Sequence, residues 1–214
     1  PVAYDVDVVV IGGSMAGVAA AVQASRAGAK VFLAAQEPYL GEDVCGTYRY
    51  WSEDNSITNT ELGEKVFGEG LPTPMHVKRT LDNALINNHI DFLYSSYVTD
   101  ILTGSDSSPG GVVISNRSGR QAIVAKTIID ATPRALVARL AGAKFGTYPT
   151  GKQTFKFTVA GNEVKDISGA TAKILPQQIR VNRKSSGSPS GESSSEADIR
   201  YNAIEYTLQI DMKD

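Results

Sequence analysis

The amino-acid sequence predicts a mixed α/β fold in two parts, a first domain over residues 1–149 and a strand-rich segment over 150–214. Three observations carry this reading. A β-branched run, Val6-Asp7-Val8-Val9-Val10-Ile11, leads into a glycine-rich turn and then into an alanine-rich stretch without proline. The middle of the chain alternates short apolar runs with turn residues, the pattern of a β-hairpin or meander inserted in the first domain. After Pro149 the apolar groups that stand out all read as strands.

Each element follows from local chemistry. Val6–Ile11 suits a parallel strand covered on both faces. After the turn Gly12–Gly17, residues Val18–Ala27 read as a helix, with Gly28 at its C-terminal cap. Lys30–Ala35 is a second strand, so the opening has the length of a β-α-β crossover. Residues 36–72 are rich in Gly, Pro and acids and predict a long irregular loop, of the kind that carries function or stays disordered. Thr73-Pro74 starts a helix, with Thr as the cap and Pro in the first turn. Its apolar face is Val77, Leu81, Ala84 and Leu85, and it stops near Asn87-Asn88. Ile90–Tyr94 and Tyr97–Leu102 are extended, Asp106–Gly111 is a turn, and Val112–Ser115 with Gln121–Ala125 form a hairpin around Ser118-Gly119. Thr127–Ala131 reads as another buried strand and Ala135–Ala141 as a short helix closed by Gly142. In the second part, Phe155–Val159, Ile179–Asn182 and Ile204–Ile210 are strands. The serine-rich segment Lys184–Asp198 has too few apolar groups to offset its ordering entropy and predicts a mobile loop.

Composition narrows the function. The hydrophobic share of 42% is that of a chain that buries a core. The net charge is −2 and no basic block occurs, which argues against a nucleic-acid partner. No apolar run approaches the ~20 residues that span a bilayer, so no membrane span is expected. Cys45 is the single cysteine, and His76 and His89 lie outside any Cys/His cluster, so neither an internal disulfide nor a metal site is expected. A first residue Pro1 fits removal of an initiator Met or loss of an export signal, hence a cytoplasmic or an exported protein.

The glycine turn is the most informative feature. A dinucleotide fingerprint needs one Gly for the tight turn, a second where the pyrophosphate approaches the backbone, and a third for helix–strand packing. Gly12 and Gly17 fill the first and third roles, and Ser14 stands at the second. Ser14 keeps its backbone N–H and adds a hydroxyl, while Gly13, Met15 and Ala16 complete a turn that opens on a helix N-terminus, where partial positive charge favours phosphate. The ribose-binding acid of such folds falls near Ala35. It is either replaced there, with Gln36 hydrogen-bonding the ribose uncharged, or displaced to Glu37, which reads equally well as a solvated loop residue before Pro38.

Three stretches, VVVIGGSMAGVAAAVQASRAGAKVFLA, PYLGEDVCGTYRYW and TIIDATPRALVARLAGAKF, together organise residues 5–146. They resemble the FAD-dependent oxidoreductases of the glutathione-reductase-like superfamily. The resemblance implies a Rossmann-like FAD/NAD(P)-binding domain and FAD as cofactor. It implies that Gly12–Gly17 carry the pyrophosphate, that Ala35, Gln36 and Glu37 lie beside the adenosine ribose, and that Val98 offers its backbone to the adenine. Ala131 and Thr132 match an Ala-Thr-Gly motif near the cofactor, and the stretch Gly41–Thr47, including Gly46, passes near the flavin ring. The chain departs from the pattern at Ser14, at Ala35 and at Pro133, which replaces the motif's Gly. Family members also continue well beyond the length present here, so a complementary C-terminal segment or a second polypeptide is expected to complete the cofactor site and the substrate pocket.

In the same loop, Cys45 reads either as a packed thiol or as a reactive one (a charge-transfer thiolate, a nucleophile or a covalent flavin link). Arg49, beside Tyr48, Tyr50 and Trp51, fits either an anionic or planar ligand or packing of the loop. The functional expectation is the FAD-binding portion of a flavin-dependent oxidoreductase that acts on a small organic substrate. The alternatives are a non-catalytic binding or structural subunit with a degenerate dinucleotide fold, which the three departures favour, and NAD(P) binding, which the missing acid at Ala35 disfavours for NAD.

Overall fold

The structure, a computed structural model, describes residues 1–52, 59–68, 70–104, 108–183 and 197–213. Along the chain its elements are β1 (Val2–Ile11), α1 (Met15–Arg26), β2 (Val31–Ala34), α2 (Glu42–Cys45), α3 (Glu61–Phe67), α4 (Pro74–Asn87), β3 (Asp91–Leu93), β4 (Tyr97–Thr103), β5 (Pro109–Asn116), β6 (Gly119–Asp130), α5 (Leu136–Leu140), β7 (Gly151–Gly161), β8 (Ala170–Arg183) and β9 (Ala197–Met212). They form two compact units, one of Pro1–Asp43 with Lys78–Gly146, the other of Val44–Val77 with Thr147–Asp214.

The first unit is built on a six-stranded sheet in the order β3-β2-β1-β6-β5-β4. β2 and β6 flank β1 in parallel, β3 continues in parallel beyond β2, and β4, β5 and β6 form an antiparallel meander. The β-branched run does what its composition demands: Val9, Val10 and Ile11 lose all contact with water, as do Phe32, Leu33 and Ala34 of β2. Val9, Ile11 and Phe32 share one core cluster with Val98, Val112, Ile114 and Ile123 of the meander. α1 buries Gly17, Val18, Ala21 and Val22. Its C-terminus is tied to the end of α4, where the Ser25 hydroxyl donates to the Asn88 carbonyl at 3.1 Å.

Several boundaries differ from the sequence reading, each for a physical reason. The first helix begins at Met15, not Val18, because the Ser14 side chain accepts the Gly17 N–H and caps it. The hairpin strand Gln121–Ala125 and the strand Thr127–Ala131 are one strand, β6. Lys126, which looks like a break between them, takes an outward position and its ammonium lies 2.7 Å from Asp7 on the neighbouring β1. That ion pair, with the Lys30 backbone N–H, holds the Asp7 carboxyl below its usual range. The far end of β6 is part-exposed and not buried as expected. Part of the expected turn Asp106–Gly111 lies outside the described residues, and β5 already includes Pro109 to Gly111. The irregular stretch 36–72 contains α2 and α3; α3 is capped by Thr60, whose hydroxyl accepts the Gly63 N–H at 3.0 Å. The Thr73 cap is present as expected, accepting the His76 N–H at 3.2 Å.

The second unit carries a three-stranded antiparallel sheet in the order β7-β9-β8. All three strands run longer than the sequence suggests, and the β8–β9 register shifts between Ile174 and Gln178, around Pro176, which cannot donate to the ladder. One face presents Phe155, Phe157, Ile204, Tyr206 and Leu208, with Phe157 stacked on Tyr206 at 5.3 Å between ring centroids. The other presents Glu205, 4% exposed, to Arg49, Lys156 and Lys173 at 3.2, 3.4 and 3.3 Å. Residues 184–196 of the expected serine-rich loop lie outside the described residues, and Ala197 and Asp198 already belong to β9.

Candidate functional site

The glycine turn sits where β1 ends and α1 begins, and its shape is fixed by close backbone approaches. The Gly12 N–H donates to the Ala34 carbonyl at 2.9 Å, which ties the turn to the end of β2. Gly12 has φ +117°, and a Cβ there would lie 2.5 Å from the Ala131 carbonyl oxygen. A Cβ on Gly17 would lie 2.4 Å from the Gly12 carbonyl oxygen, so the first turn of α1 packs directly on the strand end. Both positions therefore exclude any other residue, the first for conformation and contact, the second for contact. Gly13 faces Ala35, whose Cβ would stand 2.9 Å from an added Cβ.

The structure thus brings Gly12, Gly13, Ser14, Met15, Ala16, Gly17, Ala35 and Ala131 together around one helix N-terminus. Ser14 spends its hydroxyl locally: it accepts the Gly17 N–H at 3.1 Å and points its own proton at the Ala131 carbonyl, 3.5 Å away. Ala35 is fully buried; its N–H donates to the Leu93 carbonyl at 2.8 Å and its carbonyl accepts the Ser96 N–H at 2.9 Å. Gln36 is part-buried and Glu37 exposed, the latter's carbonyl accepting the Ser95 N–H at 3.2 Å. Val98, two residues beyond Ser96, is a buried member of β4 paired with Ile114.

At the end of β6 the Gly expected after Thr132 is replaced by Pro133, and a small polar knot makes the turn. The Thr132 hydroxyl donates to Asp130 Oδ1 at 2.6 Å and accepts the Leu136 N–H at 2.8 Å. Asp130 Oδ2 accepts the Ala138 N–H at 3.0 Å, so one carboxylate organises the turn and the start of α5.

Two acids that the sequence did not single out also reach the turn. Asp43 accepts the Met15 N–H through both carboxylate oxygens, at 3.1 and 3.2 Å. Glu42 places Oε2 3.2 Å from where a Cβ of Gly13 would be, and that oxygen is buried without a hydrogen-bond partner. Burial pushes the Glu42 carboxyl above its usual range, the neighbouring charges of Asp43 and Glu37 add to this, and backbone N–H groups of Glu42 and Gly13 oppose it. The loop carrying both acids is held in place by the Gly41 N–H, which donates to the Gly13 carbonyl at 2.7 Å. The adjacent acids suit the first turn of α2, and nothing in one dimension shows that they also fold back onto the start of α1.

The remaining candidates belong to the second unit. Cys45 is buried, with Sγ 3.8 Å from the Pro74 carbonyl oxygen. Gly46 is exposed, and the Arg49 guanidinium is engaged by Glu205. A cleft of about 160 Å³ between α3 and α4 is lined by Val66, Leu71, Thr73, His76 and Arg180, and it is too small for a dinucleotide. Among the described residues no three His, Cys, Asp or Glu side chains converge as a metal site would require. No described helix is long and apolar enough to cross a membrane.

The model of the FAD dependent oxidoreductase family matches residues 7–185, most of the chain, from β1 to beyond the end of β8. The chain belongs to the FAD-dependent oxidoreductase family. FAD is the cofactor that goes with this membership. Among curated proteins none matches. Solved structures share the fold. A flavoprotein/dehydrogenase from Cytophaga hutchinsonii has 15% identity and a TM-score of 0.57 over 95% of this chain and 56% of its own. A geranylgeranyl bacteriochlorophyll reductase-like protein from Thermoplasma acidophilum has 14% identity and a TM-score of 0.55 over 95% and 56%. THI4 from Thermovibrio ammonificans has 17% identity and a TM-score of 0.51 over 65% of this chain and 64% of its own. The chain therefore spans less than two thirds of these structures.

The fit of FAD to this member divides in two. The backbone of the turn fits a pyrophosphate, because Gly12 and Gly17 hold a helix N-terminus open at a strand end. The acids around it do not, because Asp43 already takes a helix N–H and Glu42 adds a second carboxylate.

Proposed function

We propose that the chain is the FAD-binding portion of a flavin-dependent oxidoreductase that acts on a small organic substrate and is completed by a further segment or a second polypeptide. The observation that carries this reading is the turn Gly12–Gly17, where two positions tolerate glycine alone and the backbone faces the start of α1. In this reading Gly12, Gly13, Ser14, Met15, Ala16 and Gly17 hold the pyrophosphate, and Ala35, Gln36 and Glu37 lie along the ribose. Val98 offers backbone to the adenine, and Ala131 and Thr132 border the cofactor at the end of β6. Bound FAD would supply acceptance of a hydride or electrons from the substrate. The chain's own contribution is to bind and orient the dinucleotide. Arg49 and Cys45 are structural here, since one is paired with a buried carboxylate and the other is packed against the start of α4. The incomplete cover of the three-stranded sheet, where Phe155 and Phe157 are 38% and 42% exposed, supports completion by additional protein.

A second reading, a non-catalytic subunit with a degenerate dinucleotide fold, is favoured by Asp43 on the Met15 N–H. Purified protein titrated with FAD separates the two. Uptake with a stoichiometric visible flavin spectrum, displaced by excess ADP, supports the first. Folded protein that takes up neither FAD nor ADP overturns it and leaves the second.

A further inference from the structure

We propose that Lys156 and Lys173 anchor an anionic group of a small ligand, a carboxylate or a phosphate, on the polar face of the three-stranded sheet. The inference deepens the functional reading above by giving the substrate an anionic group, and it rests on that reading for the ligand's being the substrate.

The first observation is charge. Arg49 meets Oε2 of Glu205 at 3.2 Å, while Lys156 and Lys173 share Oε1 at 3.4 and 3.3 Å. Glu205 carries one negative charge, and even with Arg49 left aside the two lysines outnumber it. Both ammoniums lie against one oxygen and hence within about 7 Å of each other, a spacing at which they repel and at which an anion between them is drawn to both. The second observation is place. Lys173 stands directly opposite Glu205 on the ladder, and on the next rung Lys156 stands opposite Thr207, which faces Thr171 on its other side. Alternate residues of β9 share this face, and burial falls along it: Ala203 and Glu205 are buried, Thr207 is part-buried and Gln209 is exposed. The lysines sit at this step. The carboxylate beneath them is closed to water, and the ammoniums above it are open to a ligand. The third observation is donors. An ammonium has three N–H donors, so contact with one oxygen of Glu205 leaves each lysine donors to offer outward. Thr171 and Thr207 add hydroxyls on the same face. The next acid along this face of β9, Asp211, stands directly opposite Lys152. An ammonium is a compact charge with rotatable donors, which suits an anionic oxygen held without a fixed plane.

The test uses the full chain and three probes, succinate, inorganic phosphate and the uncharged succinamide, with sodium chloride holding the ionic strength constant. The amide resonances of β7–β9 are followed by NMR, and the folding of each variant is checked by circular dichroism. Saturable shifts at Lys156, Lys173 and Thr207 are expected with an anionic probe and none with succinamide. Saturation by succinate marks a carboxylate site and saturation by phosphate alone a phosphate site, and either supports the proposal. Lys156→Gln and Lys173→Gln are each expected to weaken binding about fivefold, the upper end for an exposed ion pair. Lys152→Gln, on the same face opposite Asp211, is expected to leave it unchanged. Shifts that stay linear in probe concentration, that succinamide reproduces, or that Lys152→Gln weakens as much as the other two variants do, overturn the proposal. FAD uptake by the same protein separates the two readings. Uptake without anion saturation overturns the anion site alone. Anion saturation in folded protein that takes up no FAD overturns the FAD reading, and with it the ligand's role as substrate, while the site stands. Absence of both overturns both.

Discussion

The two sheets solve the same burial problem in opposite ways. In the first unit, Val9, Val10, Ile11, Phe32 and Leu33 are removed from water entirely, and the sheet is sealed by helices and by its own meander. In the second, β9 alternates Ile204, Tyr206, Leu208 and Ile210 with Glu205, Thr207 and Gln209, and the apolar face is covered only near its centre. Ile174 and Ile210 remain 51% and 44% exposed. Each unit also holds one awkward carboxylate. Glu205 is buried and met by three cations, and Glu42 is part-buried with an oxygen met by none. Parallel packing produces a core that is complete in itself, whereas the antiparallel sheet depends on what is laid against each face.

The strongest way to break this comparison is Phe32→Ala. Phe32 is fully buried and lies 4.0 Å from the Tyr4 ring between centroids, so urea unfolding is expected to show a loss of about 3–5 kcal/mol. A loss below about 1 kcal/mol would mean that the first core is not a sealed one.

Glu205→Gln tests the second sheet. Removing one partner of a buried pair costs several kcal/mol, but the three cations here are 42–64% exposed, and water can recover them. A loss of about 1–2 kcal/mol at neutral pH is expected, seen as faster hydrogen exchange in β7–β9 with β1 unchanged. Burial raises the Glu205 pKa, and the hydrogen bonds and charges of Lys173 and Lys156 more than reverse this, so the folded value lies below 4.5. The stabilisation is therefore present above the unfolded value and is lost as pH falls through the folded one. The difference between wild type and variant should shrink below about pH 4.5.

How far the sequence foretold these features depends on the range of the interaction involved. The β-α-β opening, the Gly28 cap and the Thr73 cap were legible because neighbours in sequence make them. The continuity of β6 was not, because Lys126 looks like a break until Asp7 is placed on the adjacent strand. Strands β8 and β9 run well beyond their apolar stretches because residues such as Thr171, Lys173 and Arg200 carry no apolar signal and are held by their ladder partners. At the candidate site, Gly12, Ser14 and Gly17 declare themselves by type and spacing. Asp43 does not, since an acid in the first turn of a short helix is ordinary and only the fold carries it to Met15.

Glu42→Gln sharpens the contrast between the two carboxylates. The folded pKa of Glu42 is raised, so its carboxyl favours folding when protonated and that contribution is lost as pH rises through the folded value. The amide should therefore stabilise the protein modestly at neutral pH, since water still screens this part-exposed group, and give no advantage once the carboxyl is protonated in both states. A destabilised variant at pH 7 would show that the charge of Glu42 is compensated. The smallest effect is expected for Ile174→Thr, within about 0.5 kcal/mol of the wild type by thermal unfolding, because the side chain is half in water already. A larger loss would show that this face is covered in solution.

The pairing of β6 with β1 has a consequence for the order in which the chain becomes a protein. β1 leaves the ribosome well before one of its two flanking strands, which comes from residues 119–130. Until those residues are made, Val8 to Ile11 have hydrogen-bonding partners on the β2 side alone, and their other edge is an apolar, unpaired strand. Pairing across so long a stretch is slow to form and exposed to misassembly while it waits. The nascent chain should therefore depend on protection from chaperones until β6 has been synthesised.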